Sequence, residues 1–164
     1  MTWIAAVALL VAFHSHALAE SDGHLLPVGL STSRVWHETA SDSYTLGAEA
    51  SVVWIEASTP KSPDAIGLNF WYGAYLDLVR NFGTDTTRMT VGPELGLNYV
   101  GVDGGFMVDV GDTIRTGFVI RPVLTIGVVT LGYRYGYFFD DDPDNRFHEL
   151  GLLIKWKLPF YEKL

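Results

Sequence analysis

The sequence contains no cysteine among its 164 residues. This absence excludes disulfide bonds, thiol catalysis and lipid attachment at a cysteine. Basic residues are also scarce, because 11 Lys and Arg face 19 Asp and Glu, which gives a formal net charge of −8. Binding to nucleic acid requires clustered Lys and Arg, so we expect no nucleic-acid partner.

Long apolar runs are missing after residue 19. A spanning helix needs about 20 consecutive apolar residues, and no later stretch reaches that length. The run WIAAVALLVAF near the N-terminus is shorter, and the small-residue site Ala17-Leu18-Ala19 follows it. This order is typical of a secretory signal peptide, although the n-region MTW has no basic side chain. We predict a signal peptide over residues 1–19 and one exported domain over residues 20–164.

Apolar and polar residues alternate with period two through most of that domain, whereas helical spacing is scarce. In RMTVGPELGLNYV, for example, Met89, Val91 and Leu95 fall on one side, and Arg88 and Glu94 on the other. The pattern predicts an all-β fold of eight strands, at residues 25–36, 44–57, 65–82, 88–100, 106–111, 114–126, 130–139 and 147–160. We expect GVDGG to form the turn before the fifth strand, and Pro93 and Pro122 to lie at bulges.

The polar face of these strands is rich in Gly, Ser, Thr and Asn and carries only single charges. A soluble surface usually has about 25–35% charged residues, so this face suits the narrow lumen of a membrane barrel whose apolar face meets lipid. The charges have both signs, which predicts an ion-pair network that fills the lumen. Its expected members are Glu49, Asp77, Arg88, Glu94, Asp109, Arg121, Arg134, Glu149 and Lys155.

Aromatic residues near the strand ends predict girdles at the two membrane interfaces. We place Trp54, Tyr99, Phe106, Trp156 and Phe160 at the periplasmic ends. We place Trp36, Tyr44, Phe118, Tyr135 and Tyr137 toward the outside.

The last strand, ELGLLIKWKLPF, resembles the C-terminal signal by which outer-membrane proteins are recognised for assembly, and Glu149, Gly151, Ile154 and Trp156 match it. Here the chain continues past Phe160 with YEKL, whereas the signal usually ends at an aromatic residue. With the signal peptide and the two-faced strands, the sequence resembles small eight-stranded bacterial outer-membrane barrels of the OmpX/OmpA transmembrane-domain type. The resemblance implies a transmembrane antiparallel up-and-down β-barrel. Its expected partners are outer-membrane lipid, lipopolysaccharide and the outer-membrane assembly machinery.

Some barrels of this size are enzymes that act on lipid A or phospholipid, and such an enzyme would carry catalytic groups. The His-x-Ser pair of the deacylase type is absent from the late strands. Ser31, His148 and Asp77 could form a triad only if the fold brought them together. We predict no catalytic residue and no cofactor.

Two segments contain side chains that could bind a metal ion. His148 beside Glu149 has no further ligand at usable spacing. The segment DDDPDN places Asp140, Asp142 and Asp144 at the spacing that begins a calcium loop, but its sixth residue is Asn145 and its twelfth is Gly151. A solvated acidic loop is the main interpretation, and a site for divalent cations that bridge to lipopolysaccharide phosphates is the alternative.

An eight-stranded barrel encloses a space only just wide enough for side chains. We therefore expect a filled polar lumen, no open pore, and a structural or surface-interaction role. The main alternative is a soluble periplasmic barrel of lipocalin type that encloses an apolar ligand. A lipid-modifying enzyme is the third interpretation.

Overall fold

The computed structural model describes residues 23–37, 42–57, 68–141 and 145–160. These residues form eight strands, which confirms the predicted number. The strands are β1 (Gly23–His37), β2 (Ser43–Ala57), β3 (Asn69–Asn81), β4 (Thr86–Leu97), β5 (Val100–Val110), β6 (Ile114–Ile126), β7 (Val129–Phe138) and β8 (Arg146–Phe160). The predicted signal peptide and the predicted first residues of the third strand lie outside the described residues.

The strands close into an antiparallel up-and-down barrel, as predicted. Each strand pairs with the next, and β1 pairs with β8 from His24 to His37. The pairing around the barrel from Gly23 returns to β1 at Ser33, ten residues further along. For eight strands this stagger corresponds to a strand tilt of about 40° and a backbone diameter of about 16 Å. The lumen is therefore narrow enough for side chains to meet across it.

The turn between β4 and β5 differs from the prediction. It consists of residues 98–99, and GVDGG lies inside β5. Asn98 has a φ of 51°, a left-handed conformation that Asn adopts more readily than most residues. Its side-chain oxygen accepts the backbone N–H of Asn69 at 2.9 Å. A short turn built on one asparagine thus replaces the longer glycine-rich turn.

Gly101, the first glycine of GVDGG, is required for packing instead. Gly101 and Gly96 lie opposite each other, and a Cβ on either would collide with the indole ring of Trp71. Because the ring covers these two residues inside the lumen, only glycine fits there.

The predicted bulges at the prolines are also wrong. On both sides of Pro93 the β4–β5 register is unchanged, since Val91 pairs with Phe106 and Glu94 with Asp103. Pro93 has no backbone N–H, so it cannot donate a hydrogen bond to the ladder. The residue before it, Gly92, lies against the backbone of Gly104. Pro122 likewise keeps its register, opposite Val102.

We predict that Gly92→Val lowers the free energy of unfolding by about 1–3 kcal/mol, the usual cost of overpacking. A Cβ at Gly92 would collide with the carbonyl oxygen of Gly104, and backbone cannot move aside as a side chain can. Gly104→Val is the matched control, because a Cβ there finds its nearest atom at 3.6 Å. Urea unfolding in detergent micelles measures both, and equal losses would contradict the steric explanation.

The two faces of the wall separate sharply. Large apolar side chains cover the outside, among them Leu30, Leu46, Leu76, Val91, Ile120, Leu131 and Leu152, each more than 40% exposed. Charged side chains are buried inside, including Glu49, Asp77, Glu94, Arg121 and Arg134. The face that a lipocalin-like barrel would wrap around its ligand points outward here, and this argues against that alternative.

Candidate functional site

We call the end of the barrel at which β1 ends and β8 begins the outer end, and the opposite end the inner end. The half of the lumen beside the outer end holds a charge cluster centred on Glu149 of β8. Its carboxylate pairs with Arg88 of β4 and lies 3.4 Å from Nη1 of Arg134 of β7. Ser33 Oγ donates a hydrogen bond to the other carboxylate oxygen at 2.7 Å. Arg134 also pairs with Asp77 of β3, on the other side of the barrel. The cluster therefore links five strands through two buried carboxylates, two guanidinium groups and one hydroxyl.

A second cluster lies closer to the other end and is centred on Glu49 of β2. Glu49 Oε2 is 2.6 Å from Nη2 of Arg121, which also pairs with Asp103. Glu49 Oε1 is 2.5 Å from Nζ of Lys155, and that ammonium lies 3.5 Å from Oε2 of Glu94. Three carboxylates thus share two cations in this cluster.

The structure brings eight of the nine predicted lumen charges into these ion pairs: Glu49, Asp77, Arg88, Glu94, Arg121, Arg134, Glu149 and Lys155. The ninth, Asp109, faces inward and is half-buried, and its Oδ1 has no hydrogen-bond partner among the described residues. Asp103 was missed because GVDGG was interpreted as a turn. The period-two series Gly101, Asp103, Gly105, Met107 was the signal that could have identified it.

An apolar cluster closes the outer end of the lumen, and we call it the outer plug. It consists of Val35, Met107, Val119, Phe138 and Phe147, all buried. The guanidinium of Arg88 lies 4.4 Å from the ring centre of Phe147, and that of Arg115 lies 4.0 Å from the ring centre of Phe138. The outer plug is therefore held between two arginines.

One small space remains beside these groups. A cavity of about 30 Å³ lies beside Arg121, Arg134 and Glu149, which is room for one or two water molecules. The ring of Tyr75 is fully buried next to Arg121, with 5.2 Å between the guanidinium and the ring centre. Side chains thus occupy most of this part of the lumen.

The candidate triad does not assemble. Ser31 and Asp77 face the lumen, and Asp77 is paired with Arg134. His148 faces outward on β8, where its Nδ1 is 2.5 Å from the hydroxyl of Tyr133. The barrel wall therefore separates the imidazole from the other two groups, and the triad interpretation is wrong.

The same geometry bears on the metal candidates. His148 and Glu149 lie on opposite faces of the wall, so they cannot share a metal ion. Both oxygens of Asp140 bind Arg115, at 2.5 and 3.0 Å, while Asp142 and Asp144 lie outside the described residues. Within the described residues, no group of three or more His, Cys, Asp or Glu could hold a metal ion.

The residues of the closing strand divide between the two faces. Glu149 and Gly151 point into the lumen, and Ile154 and Trp156 point outward. The assembly signal itself stays a prediction.

Aromatic side chains gather on the outer wall at both ends. The ring centres of Trp54 and Tyr72 are 5.8 Å apart in a stacked arrangement, near the end of the barrel at which β1 begins. Phe106 was predicted at that end, but it lies toward the other end of the barrel. Its ring centre is 6.4 Å from that of Phe139, in a cluster that also includes Phe118. Its position in β5 explains the difference, because β5 starts six residues before Phe106 and not at it.

No helix formed by the described residues is long and apolar enough to cross a membrane. No protein-family model matches the sequence, and no curated protein matches it significantly.

Solved structures of similar shape exist. Neisserial surface protein A is 13% identical with a TM-score of 0.42, and the match covers 85% of this chain and 100% of that one. The Yersinia pestis outer membrane protein Ail in a phospholipid bilayer nanodisc is 12% identical with a TM-score of 0.41, and the match covers 83% of this chain and 100% of that one. The strand number, the up-and-down order, the outward apolar face and the charged lumen observed here make this chain an eight-stranded antiparallel β-barrel whose apolar side chains point outward and whose charges lie inside.

Proposed function

We propose that this chain is a transmembrane barrel of the bacterial outer membrane with a closed lumen and a structural or surface-interaction role. One observation carries the proposal: charged side chains are buried inside while large apolar side chains cover the outside. In water this arrangement would expose the apolar wall at a high cost. In a bilayer the same wall meets hydrocarbon, and every strand of the wall is hydrogen-bonded on both sides because the barrel is closed.

The closed lumen is supported by two layers of side chains. The outer plug fills the outer end, and the two charge clusters fill the middle. An ion would have to displace both layers to cross. A role as an open pore is therefore disfavoured.

The role that we propose is non-catalytic, because the barrel wall separates His148 from Ser31 and Asp77 and Asp77 is paired with Arg134. The partners that we propose are outer-membrane lipid and lipopolysaccharide around the wall, and the assembly machinery through the closing strand β8. These partners follow from the apolar wall and from the sequence of β8.

The test compares boiled and unboiled samples of residues 20–164, folded into detergent micelles, on a denaturing gel. We expect the unboiled protein to run as a compact band, the boiled protein to run as an unfolded one, and the protein to aggregate without detergent. A monodisperse protein in detergent-free buffer would contradict the proposal.

A further inference from the structure

We propose that the outer wall at the junction of β8 and β1 binds the phosphate group of an outer-leaflet lipid. The site, which we call the seam site, consists of Arg34, His148 and Arg146, with Trp36 and Tyr133 beside them. The inference rests on the proposed function, because this wall meets lipid only in a membrane.

The barrel register brings these residues together on one outward patch. Trp36 and His148 lie directly opposite each other in the β1–β8 ladder. Arg34 precedes Trp36 by two positions, and Arg146 precedes His148 by two, so all four side chains point outward. Because the strands are antiparallel, the two arginines lie on opposite sides of the Trp36–His148 pair, each within the reach of a long side chain.

Hydrogen bonding prepares His148 as a donor. Its Nδ1 is 2.5 Å from the hydroxyl of Tyr133, and the ring of Tyr135 lies 5.3 Å from the imidazole. When the phenol donates to Nδ1, the ring hydrogen of the neutral imidazole lies on Nε2. The Nε2–H then faces away from the phenol and can donate to a ligand.

Arg34 is held by two neighbours and keeps N–H donors that they do not use. Its guanidinium lies 5.4 Å from the ring centre of Trp36, and its Nη2 is 2.5 Å from Oδ2 of Asp42. Asp42 engages only Nη2, which leaves Nε and Nη1 to face a ligand. The Arg34 side chain is 49% exposed, so lipid can reach it. An arginine fork of this kind matches the oxygens of a phosphate.

No other part of the outer rim formed by the described residues combines outward arginines with an outward histidine. Among the described residues, the only other outward cation at this end is Arg80 of β3. Its Nη2 pairs with Asp85 and its Nη1 donates to Thr87 at 3.1 Å, so both ends of its fork are engaged. On the opposite side of the barrel, Val110 and Ile114 bring apolar side chains to the ends of β5 and β6. A lipid phosphate would therefore be localised at the seam site.

The ligand chemistry is a phosphate monoester or diester at the bilayer surface. A phosphorylated glycolipid and a glycerophospholipid both carry it, and the experiment separates the two. The acyl chains of either lipid would lie along the apolar wall below Arg34, beside Leu30 and Leu152.

The experiment uses the folded barrel in a nonionic detergent and native mass spectrometry to count bound lipid molecules. The probes are diphosphorylated lipid A, the same lipid without phosphates, and phosphatidylglycerol. The double variant Arg34→Gln with Arg146→Gln removes both guanidinium groups, and Arg80→Gln is the matched control.

We expect the double variant to bind the phosphorylated probe about tenfold or more weakly, since charge-assisted hydrogen bonds are lost. Arg80→Gln should change affinity less than about twofold, and the wild type should bind the dephosphorylated lipid weakly. A preference for phosphatidylglycerol with the same dependence on Arg34 and Arg146 would identify a glycerophospholipid as the source.

Equal losses in the double variant and in Arg80→Gln would overturn the inference, and so would equal binding of the dephosphorylated lipid to the wild type. The comparison of the two lipids uses only the wild type, so it does not depend on whether a variant folds. Every sample is first checked for the compact band on an unboiled gel. A wild type that shows this band but does not bind the phosphorylated lipid contradicts only this inference. A wild type that never shows the compact band contradicts the proposed function itself.

Discussion

Glu149→Leu is expected to lower the free energy of unfolding of the barrel by about 3–5 kcal/mol, the range for removing one partner of a buried ion pair. Leucine has nearly the volume of glutamate, so the change removes charge and hydrogen bonds more than packing. It leaves Arg88 and Arg134 buried, with Arg88 losing its carboxylate partner and Arg134 keeping only Asp77. It also takes the acceptor from the hydroxyl of Ser33.

Two other glutamates of the chain provide controls for this effect. Glu94→Leu should cost less, about 1–2 kcal/mol, because Lys155 keeps its closer partner Glu49 at 2.5 Å. Glu56→Leu, at an exposed position near the inner end of β2, should have almost no effect. Urea titration in micelles, followed by tryptophan fluorescence, ranks the three variants. A cost for Glu149→Leu no greater than that for Glu56→Leu would contradict a buried charge network.

Leu76→Arg should lower the stability of the barrel in a bilayer by about 2–4 kcal/mol, the cost of an arginine on the lipid face near the midplane. Leu76 is the eighth of thirteen residues in β3, and its side chain points outward with 48% of its surface exposed. A guanidinium there would meet hydrocarbon on every side except the wall.

Leu97→Arg is the matched control, because Leu97 ends β4 beside the turn at residues 98–99. There the long side chain can reach the headgroup region, so we expect a cost of about 0–1 kcal/mol. Unfolding in phospholipid vesicles measures both variants. Similar costs at the two depths would show that the wall does not meet a bilayer with its midplane near Leu76.

The sequence was sufficient for the barrel and for the sorting of its faces. Period-two alternation placed Leu76 outside and Asp77 inside without any knowledge of their neighbours, because successive side chains of a strand point to opposite faces. The sequence also predicted which face points outward, because a glycine-rich face with single charges is not typical of a soluble surface.

The pairing inside the lumen could not be predicted. Whether Glu149 meets Arg88 or Arg121 depends on the ten-residue stagger around the barrel, which no single strand specifies. The turn at Asn98 was hidden for a different reason: one asparagine at positive φ leaves a weaker signal than the glycines that follow it. Asp103 was lost with that turn.

The ladder between β1 and β8 has a consequence for the speed of folding. It joins the two ends of the described chain, from His24 opposite Phe160 to His37 opposite Phe147, so it closes the longest loop of the fold. Contacts of such long range make folding slow. Until they form, two strand edges would face hydrocarbon with unpaired backbone groups, at a cost of several kcal/mol each. In the membrane setting that we propose, insertion and closure would therefore be coupled in one late step, and the same barrier would oppose opening. The lifetime of the folded barrel should be governed by this rate more than by the equilibrium between folded and unfolded states.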